Sequence, residues 1–485
     1  MRKKLKDYYI AKKIKLYLIE PLTASSFSHT ITLTPNPNSF GSRIPSGIWE
    51  PYALECLGSY IKKLYPFLNV EILQGDLTYI KTHLLKDFKL EKYETTLLGI
   101  SLYTYMFNET LNFLEDVKNR RKIITIVGGY HASGDPEEIS KYPQVDFVAK
   151  GEGEAPLSTL IEEIINGHLP SEKILPQQNI SMSNFPYPLR IKKYLMRARM
   201  YPLAYPPPDK QISPAMITYG RGCQFKCPFC ASSLIWPSSR ISYRPVDHVI
   251  KEIKYLQQRF QTNLLYWTDL ALNNEKEKAI ELTSAIIESG LKINSFAYVN
   301  QELDEELCDL LKKAGFTRLG FGVETLNPEN LTQIKNFQNL EKVKEALEIA
   351  NEKGIITRAY LMIGFPDSEP KEIIETVYAA LEFPIDQLRL GFLTPFIGTP
   401  FYEKYKDSIT REWKRFTGDV PVFLHHIERE NEWITTRDKA LEKFYTDRSY
   451  IKRIKKKIKI FPYLRSSFRF FSRELRKVGI YQKIN

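Results

Sequence analysis

Histidine and cysteine are scarce in this chain of 485 residues, which contains seven histidines and five cysteines. The odd number of cysteines, three of them within eight residues, argues against a disulfide framework and favours a reducing compartment. No stretch offers about 18 uninterrupted apolar residues, so no transmembrane helix is predicted. The basic N-terminus is not followed by an apolar segment, so we expect no signal peptide. Together these features predict a cytoplasmic protein.

The net charge of +12 is concentrated at one end of the chain. Residues 448–485 contain thirteen lysines and arginines and a single acidic residue, Glu474, so the rest of the chain is neutral overall. A hydrophobic fraction of 43% is ordinary for a globular protein. At this length we expect about two to four domains, each with its own core.

Three cysteines, Cys223, Cys227 and Cys230, share one loop with the spacing C-x3-C-x2-C, directly after an apolar run and a Gly-Arg-Gly turn. Soft thiolate ligands favour zinc or an iron–sulfur cluster. A structural zinc site needs a fourth protein ligand, and the two remaining cysteines, Cys56 and Cys308, lie far away in predicted helices. Three cysteines suit a four-iron cluster whose fourth iron stays open for a substrate. The alternative, three buried apolar side chains, fits poorly with a loop rich in glycine and proline.

The cysteine loop, with the aromatic Phe229 just before the last cysteine, resembles the cluster loop of the radical S-adenosylmethionine (SAM) superfamily. The resemblance implies that the three cysteines bind three irons of a [4Fe-4S] cluster, and that the amino and carboxylate groups of SAM bind the fourth. It also implies that Phe229 lies near the adenine of SAM, and that an electron-donor protein reduces the cluster.

Residues 1–160 alternate predicted strands and helices, which indicates a doubly wound parallel sheet. A long loop rich in proline, serine and asparagine interrupts this pattern at residues 21–47. Glycines follow two of the predicted strands, at Gly128-Gly129 and in the run Gly151-Glu152-Gly153-Glu154. Ligands in this architecture bind outside the carboxyl ends of the strands. Glycines after strands are also ordinary turn residues, so the signal alone is weak.

The segment from Ile126 to Glu154 resembles the cobalamin-binding domain that precedes the radical SAM barrel in the cobalamin-dependent class of that superfamily. The resemblance covers about residues 14–160 and 213–400. It implies that cobalamin is a cofactor and that the following residues contact it: Ser101, Gly128, Gly129, Gly151 and Glu152.

The sequence departs from other cobalamin-binding modules in one respect. Those modules carry an Asp-x-His-x-x-Gly loop whose histidine binds cobalt, whereas this chain has Gly75-Asp76-Leu77-Thr78 after its second predicted strand. Two alternatives follow: the lower face of cobalt is open or bound by water, or cobalamin is not bound at all.

Residues 213–400 contain six predicted strand–helix units, which indicate a partial (β/α)6 barrel with functional residues at the carboxyl ends of its strands. The resemblance implies contacts with the cofactor at three of these ends: with SAM by Glu324 and Gly364, and with SAM or the substrate by Asp269. Glu324 would accept hydrogen bonds from the ribose or the methionyl amine, and Gly364 would allow close approach of the backbone. Taken singly, each of these residues is equally compatible with a turn or a helix cap. Residues 161–212, rich in proline, are predicted to be a surface linker.

The C-terminal region, residues 401–485, is predicted to be helical and basic. Between Tyr450 and Arg473, isoleucines and phenylalanines alternate with lysines and arginines. For residues 440–454 this pattern favours packing on the barrel. For residues 455–476 it favours peripheral contact with an anionic membrane, at the inner face of the cell membrane. Nucleic-acid binding is not expected, because no stacking platform or separate basic fold accompanies the tail.

The resemblance implies an enzyme that cleaves SAM reductively, so that a 5′-deoxyadenosyl radical takes hydrogen from an unactivated carbon. Members of the cobalamin-dependent class often methylate that carbon, and others form carbon–carbon bonds in rings or rearrange the substrate. The basic, amphipathic C-terminal region favours a hydrophobic substrate for this enzyme, either a lipid or an isoprenoid. Two rival hypotheses remain. One is a radical SAM enzyme without cobalamin, whose first domain is a substrate-binding lid. The other is a non-catalytic iron–sulfur scaffold at membranes.

Overall fold

The computed structural model describes residues 13–22, 49–88, 93–178, 180–197, 214–238 and 240–477. Almost all of the predicted loop at residues 21–47, and the end of the predicted linker, lie outside these ranges. Within the described ranges, no helix combines the length and the apolar character that crossing a bilayer needs.

The N-terminal part of the chain forms a six-stranded parallel sheet. Its strands are β1 Ile14–Pro21, β2 Asn69–Gly75, β3 Thr95–Ser101, β4 Ile124–Gly128, β5 Phe147–Ala149 and β6 Ile174–Leu175. The strand order is β2-β1-β3-β4-β5-β6. Along β1, Leu16 and Leu18 enter one apolar cluster while Tyr17 and Ile19 enter another. The centre of the strand, Leu16–Ile19, is apolar on both sides because helices cover both faces of the sheet.

Helices alternate with these strands as the sequence predicts. Their bounds are Tyr52–Leu64, Leu77–Phe88, Phe107–Lys118, Tyr130–Gly134, Pro136–Ile139 and Glu154–Asn166. The direction of winding reverses between β1 and β3, which creates a crevice at the carboxyl ends of the neighbouring strands. The predicted doubly wound domain is therefore confirmed, and its ligand-binding edge is defined.

The second sheet is also parallel throughout. Its strands are β7 Ala215–Ile217, β10 Leu264–Trp267, β11 Asn294–Val299, β12 Phe316–Glu324, β13 Ile356–Ile363 and β14 Gln387–Phe392. They follow the order β14-β13-β12-β11-β10-β7, which is the predicted partial (β/α)6 barrel. Two short strands, β8 Gly220–Arg221 and β9 Ser242–Tyr243, form a separate antiparallel pair.

Helices cover the outside of the barrel and continue beyond it. Those between the strands are Ser232–Ile235, Val246–Phe260, Lys276–Glu288, Glu305–Lys313, Pro328–Lys335, Leu340–Glu352 and Lys371–Leu381. Those that follow β14 are Pro400–Tyr405, Leu424–Ile427, Glu430–Thr446, Arg448–Ile460 and Arg465–Lys477. Short 3₁₀ helices occupy Thr104–Met106, Met182–Asn184, Lys406–Ser408, Trp413–Arg415 and Pro462–Leu464.

The described part of the predicted linker is not confined to the surface, which corrects that expectation. Strand β6 pairs with β5 and extends the first sheet. A helix at Lys192–Arg197 follows, and its Tyr194 donates a hydrogen bond to the carbonyl of Ile72. Arg190 is buried between the two domains, where it forms ion pairs with Glu50 and Glu252. Prolines limit helix formation here, but the side chains between them pack into the core.

The basic C-terminal helices pack on the barrel through their apolar side. Ile454 and Phe468 are buried in the barrel's apolar cluster, so these side chains are unavailable to a membrane. Lys457 is buried too, and it forms an ion pair with Asp386. Other basic side chains of the same helices, such as Lys455, remain exposed.

Candidate functional site

The loop with the three cysteines is held at both ends by the β8–β9 pair. Gly222, at the start of the loop, has a φ of +114°, a conformation that favours glycine. A Cβ atom there would lie 2.8 Å from the carbonyl oxygen of Arg240, two residues before β9 begins. The local sequence therefore closes the loop tightly and directs the cysteines toward the carboxyl ends of the barrel strands.

Asp269, which follows β10, anchors the entry to the loop. Its carboxylate accepts hydrogen bonds from the backbone N–H groups of Tyr219 at 3.0 Å and Gly220 at 2.6 Å. The side chain is buried, and burial raises the pKa of Asp269 to about 6. Both oxygens are engaged with the backbone in this arrangement, so the observed role of Asp269 is to position the loop. Its predicted contact with SAM or substrate stays a prediction.

Two further contacts fix the middle of the loop. The ring of Phe225 stacks on Phe337, with ring centroids 4.2 Å apart. The carbonyl of Pro228 accepts a hydrogen bond from the N–H of Phe401 at 3.0 Å. The neighbouring Phe229 packs against an apolar cluster beside the ends of β13 and β14. The loop thus holds its conformation through contacts with three separate elements.

All three cysteines are half-buried on this loop. The N–H of Cys230 donates to the carbonyl of Cys227 at 3.0 Å, which forms a tight turn between these two side chains. Burial raises the pKa of the Cys227 thiol to about 12, and the charge of Lys335 opposes this shift. Burial likewise raises the pKa of Cys223. A bound iron would supply the positive charge that these thiolates need.

No three His, Cys, Asp or Glu side chains in the described ranges are gathered closely enough to share one metal ion. A four-iron cluster does not require such a group, because each cysteine binds a different iron. The half-buried cysteines on one anchored loop therefore fit the cluster that the sequence predicts.

Glu324 lies at the end of β12, near the cysteines. Its φ is +66°, which is unusual for a residue with a side chain and is often found at functional sites. Lys335 approaches its carboxylate at 3.4 Å and donates to the carbonyl of Gly322 at 2.6 Å. Burial raises the pKa of Glu324, and Lys335 counteracts that effect. Gly364, with a φ of +71°, occupies the corresponding end of β13.

The glycines of the first domain form the opposite side of the site. Gly129 has a φ of +99° and Gly151 a φ of +78°, so both turns depend on glycine. The N–H of Gly151 donates to Ser133 at 3.0 Å, and the N–H of Glu152 donates to Gln177 at 3.1 Å. The first bond holds the turn after β5 beside the helix that follows β4, and the second ties the same turn to the segment after β6.

A cavity of about 500 Å³ lies between the two domains at this point. Its wall from the first domain includes the predicted cobalamin contacts, namely Ser101, Gly128, Gly129, Gly151 and Glu152. Its wall from the barrel includes Met216, Thr218 and Thr268, which come from strands β7 and β10 or directly follow them. Apolar side chains and glycines dominate the lining, so the cavity suits a large, mostly apolar group.

The lining also fits the polar edge of a corrin ring, which carries amide groups. The indole N–H of Trp236 is buried beside the cavity and has no acceptor in the described part of the chain. A buried donor without an acceptor is costly, so a ligand that supplies one is favoured. No histidine lines the described wall of the cavity.

The position where other cobalamin-binding modules have their histidine loop is occupied by a helix cap. Asp76 accepts a hydrogen bond from the N–H of Thr78 at 2.8 Å, and the helix Leu77–Phe88 begins there. This agrees with the sequence, which offers no histidine at this point.

Arg221 joins the two halves of the site. Its guanidinium forms ion pairs with Glu152 at 2.9 Å and Glu154 at 2.8 Å, across the domain boundary. The helix Tyr130–Gly134, after β4, packs against the helix Ser232–Ile235, which begins just after Cys230. The cysteine loop and the glycine turns therefore form one continuous site.

The sequence analysis did not assign roles to Arg221, Glu154 or Lys335. The pattern Gly-Arg-Gly could have pointed to Arg221. A solvent-exposed turn does not need a charged residue between two glycines, so the arginine suggests another role. Lys335 lies on the helix Pro328–Lys335, which was not predicted although Asn327 and Pro328 form a recognisable helix start.

Two parts of the chain match known domain families. Residues 217–377 match the Radical SAM superfamily, and residues 47–161 match the B12 binding domain. Together these matches cover more than half of the chain.

Named relatives align with most of the sequence. An uncharacterized methyltransferase of Pyrococcus horikoshii is 26% identical and aligns over 86% of this chain and 90% of its own length. The anaerobic magnesium-protoporphyrin IX monomethyl ester cyclase of Rubrivivax gelatinosus is 21% identical, over 86% of this chain and 77% of its own length. The hopanoid C-3 methylase of Methylococcus capsulatus is 24% identical, over 76% and 71% respectively.

Two solved structures share the fold. The radical SAM methyltransferase TsrM from Kitasatospora setae superimposes with a TM-score of 0.62 and 19% identity, over 81% of this chain and 76% of that one. The cobalamin-dependent SAM radical enzyme OxsB superimposes with a TM-score of 0.64 and 14% identity, over 94% and 72%. Both structures therefore support the two-domain architecture.

The two matched domains imply the predicted cofactors, namely a [4Fe-4S] cluster, SAM and cobalamin. The chain belongs to the cobalamin-dependent radical SAM enzymes and is methyltransferase-like in its domain composition and its named relatives.

Proposed function

We propose that this enzyme transfers a methyl group to an unactivated carbon of a hydrophobic substrate, with a lipid or an isoprenoid as the substrate class. The interdomain cavity carries the proposal, because its mainly apolar wall connects the cysteine loop with the glycine turns. A substrate held there is shielded from water, which protects reactive intermediates from side reactions. The hopanoid methylase among the relatives supports the same substrate class.

In this proposal Cys223, Cys227 and Cys230 hold the cluster, and an electron-donor protein reduces it. When bound, the cluster and SAM supply a carbon-centred radical, and cobalamin supplies the methyl group. The chain's own part is to orient these groups, to exclude water and to present one carbon of the substrate. Asp269 contributes by holding the entry to the cysteine loop through Tyr219 and Gly220.

We assign SAM binding to Phe229, Glu324 and Gly364. Glu324 accepts hydrogen bonds from the ribose or the methionyl amine, and Lys335 counteracts the burial that raises the pKa of its carboxylate. Gly364 lets the nucleoside approach the backbone, and Phe229 contacts the adenine. A contact of Asp269 with SAM would require one of its present backbone hydrogen bonds to break.

We assign cobalamin binding to Ser101, Gly128, Gly129, Gly151 and Glu152. The four glycine and serine positions leave room for a flat macrocycle, because none of them projects a large side chain. Glu152 also forms an ion pair with Arg221, and this pair joins the turn assigned to cobalamin binding to the cysteine loop.

We further propose that the enzyme is cytoplasmic and contacts anionic membranes at their inner face. The exposed surface of the C-terminal helices supports this, because it combines Lys455, Lys456 and Lys459 with Ile460, which is 57% exposed, and Tyr463, which is 51% exposed. Each exposed basic residue near an anionic surface contributes about 1 kcal/mol. Because Phe468 is buried in the core, attraction of charge rather than deep insertion is the main force.

The membrane contact is tested by sedimentation with vesicles of phosphatidylcholine and phosphatidylglycerol. The variant K455Q/K456Q/K459Q is expected to lose most of its binding to the anionic vesicles. A matched variant with three exposed lysines replaced elsewhere, K254Q/K292Q/K371Q, is expected to retain it. Equal binding by both variants, or binding to pure phosphatidylcholine, would contradict the proposal.

The activity is tested with SAM that carries a deuterated methyl group, under anaerobic reducing conditions, with lipid extracts as substrate. Methyl transfer predicts S-adenosylhomocysteine beside 5′-deoxyadenosine, and a lipid with the labelled methyl group. Ring closure, which the relationship to the cyclase keeps open as a second candidate, predicts 5′-deoxyadenosine without S-adenosylhomocysteine.

A further inference from the structure

The lumen of the barrel contains a polar chain that the activity proposed above does not explain. Alternate residues of β11, β13 and β14 pack outward under the helices, among them Val299, Leu361 and Leu390. The residues between them face the lumen instead. They include Tyr298 on β11 and both Arg358 and Tyr360 on β13.

Three tyrosines join across this lumen by hydrogen bonds. The hydroxyl of Tyr266 donates to Tyr298 at 3.0 Å, and the hydroxyl of Tyr298 donates to Tyr360 at 3.1 Å. Burial raises the pKa of all three, so their hydroxyls stay protonated. Two bonds use two of the three protons. The third, on Tyr360, has no acceptor in the described ranges of the chain.

Arg358 lies against the side chain of Tyr360. Its guanidinium stands over the ring of Tyr360, 4.7 Å from the centroid. Within the described residues, no carboxylate or carbonyl pairs with it. The neighbouring lumen arginine, Arg389, does have a partner, because it forms an ion pair with Asp419 at 2.8 Å. An arginine in a half-enclosed lumen without a counter-charge is costly unless a ligand provides one.

The tyrosine chain leads directly to the interdomain cavity. Trp49 lines that cavity, and its ring packs against Tyr266 with centroids 4.5 Å apart. Tyr266, Tyr298, Tyr360 and Arg358 are all half-buried, so each still borders open space rather than closed core. Side-chain contacts therefore connect Trp49 in the wall of the cavity, through the tyrosines, to two donors that have no acceptor among the described residues.

We propose that Arg358 and Tyr360 form an anion-binding site that holds a carboxylate or phosphate group of the substrate while its reacting carbon lies in the interdomain cavity. The proposal rests on the function proposed above and narrows the substrate class to anionic amphiphiles. A guanidinium and a hydroxyl are suitable donors for either oxyanion, and charge-assisted hydrogen bonds are the stronger kind. The tyrosine rings, which meet edge-to-face or tilted, and Trp49 provide an aromatic surface for the apolar part.

The test measures binding of three probes of equal chain length: decyl phosphate, decanoate and 1-decanol. Each is titrated by calorimetry, below its critical micelle concentration, into the full-length enzyme loaded with cluster, cobalamin and SAM. Comparison of the two anions shows which oxyanion the site prefers, because the preferred one binds more tightly. In the parent enzyme we expect that anion to bind about tenfold or more tighter than 1-decanol, because of its charge-assisted hydrogen bonds.

The variant R358Q is expected to reduce this preference to less than about twofold, while the affinity for 1-decanol stays unchanged. Y360F keeps the ring under Arg358 and removes its hydroxyl, but it also frees the hydroxyl of Tyr298, which otherwise donates to Tyr360. An intermediate preference is therefore expected. The control R259Q changes an exposed arginine on the outside of the barrel and should behave like the parent. Cluster and cobalamin absorbance should match the parent in all three variants, which verifies their fold.

Two results would overturn the proposal. One is equal affinity of the parent for the anions and for 1-decanol, including no binding of either anion. The other is an R358Q variant that keeps the parent's preference. These measurements do not involve turnover. A failure of methyl transfer would therefore leave the binding result intact, and a failure of the anion site would leave the methyl-transfer assay unaffected.

Discussion

Arg221 donates to Glu154 across the domain boundary, 2.8 Å from nitrogen to oxygen, with the Glu154 side chain only 6% exposed. Arg221 precedes Cys223 by two positions, and Glu154 begins the helix that follows the glycine turn of the B12-binding domain. The relative position of the two cofactor sites is therefore fixed by an ion pair as well as by packing.

Neutralising this pair should destabilise the protein. We expect Glu154→Gln to lower the free energy of unfolding by about 3 kcal/mol, because it leaves a nearly buried arginine with one carboxylate fewer. Asp309→Asn, which breaks the more exposed pair with Lys353, should cost clearly less because solvent screens that pair. Urea denaturation of the three proteins measures both values. Equal losses would show that the interdomain pair has no special role.

Asp269→Asn should weaken the cysteine loop. An amide offers one acceptor oxygen where the carboxylate offers two, so one of the N–H groups of Tyr219 and Gly220 loses its partner. We expect a cost of about 2 kcal/mol and less iron bound after reconstitution. Asp304→Asn is the control, because that residue caps a helix away from the loop and asparagine caps equally well. Full iron content in Asp269→Asn would contradict the anchoring role.

Glu55 should make the stability of the protein depend on pH. Burial, and next the charge of Glu50, raise the pKa of Glu55 to about 8 in the folded protein, well above its usual value of 4.5. The folded state therefore holds a proton that the unfolded state releases, and stability falls as pH rises from about 4.5 to about 8. The expected slope is about 1.4 kcal/mol per pH unit for one such group.

Glu55→Gln should remove this slope, because glutamine is neutral throughout and can still accept the hydrogen bond from the N–H of Ile191. The variant should match the parent near pH 5 and exceed its stability near pH 8. Urea denaturation at several pH values between these limits tests the expectation. A variant with the same pH dependence as the parent would show that another group is responsible.

Cobalt in this enzyme should have no histidine ligand from the protein, because Asp76 caps a helix where other modules place that residue. Electron paramagnetic resonance of the reduced, cobalamin-loaded enzyme measures this through nitrogen hyperfine splitting. We expect the spectrum to be identical for unlabelled protein and for protein labelled with ¹⁵N-histidine. A change in splitting on labelling would identify a histidine ligand.

The sequence predicted the other strands of the two sheets, but not β6, which lies in the stretch predicted to be a linker. The successful predictions rest on apolar strands and amphipathic helices that alternate with clear turn residues between them. The sequence also led to the cysteine loop and the glycine turns, because local spacing encodes both. The predicted strand ends at Asp269, Glu324 and Gly364 do lie at the barrel edge that faces the loop.

What the sequence did not reveal depends on contacts between distant segments. The pairing of Arg221 with Glu154 joins residues 67 positions apart, and the tyrosine chain links three different strands. The stretch of residues 161–212 appeared to be a linker because proline suppresses the helical pattern. Its Arg190 is nevertheless buried, since Glu50 and Glu252 from two other elements compensate its charge.

The most direct test of the account is metal and product analysis of Cys227→Ala beside the parent and Cys308→Ala. Cys308 is buried in a barrel helix away from the loop, so its variant should behave like the parent. The parent, reconstituted anaerobically, should contain about four irons and one cobalt per chain and release 5′-deoxyadenosine from SAM under strong reductant. Cys227→Ala should lose the cluster absorbance and the 5′-deoxyadenosine while it retains cobalt. A Cys227→Ala protein that keeps both its brown colour and its cleavage of SAM would contradict the account.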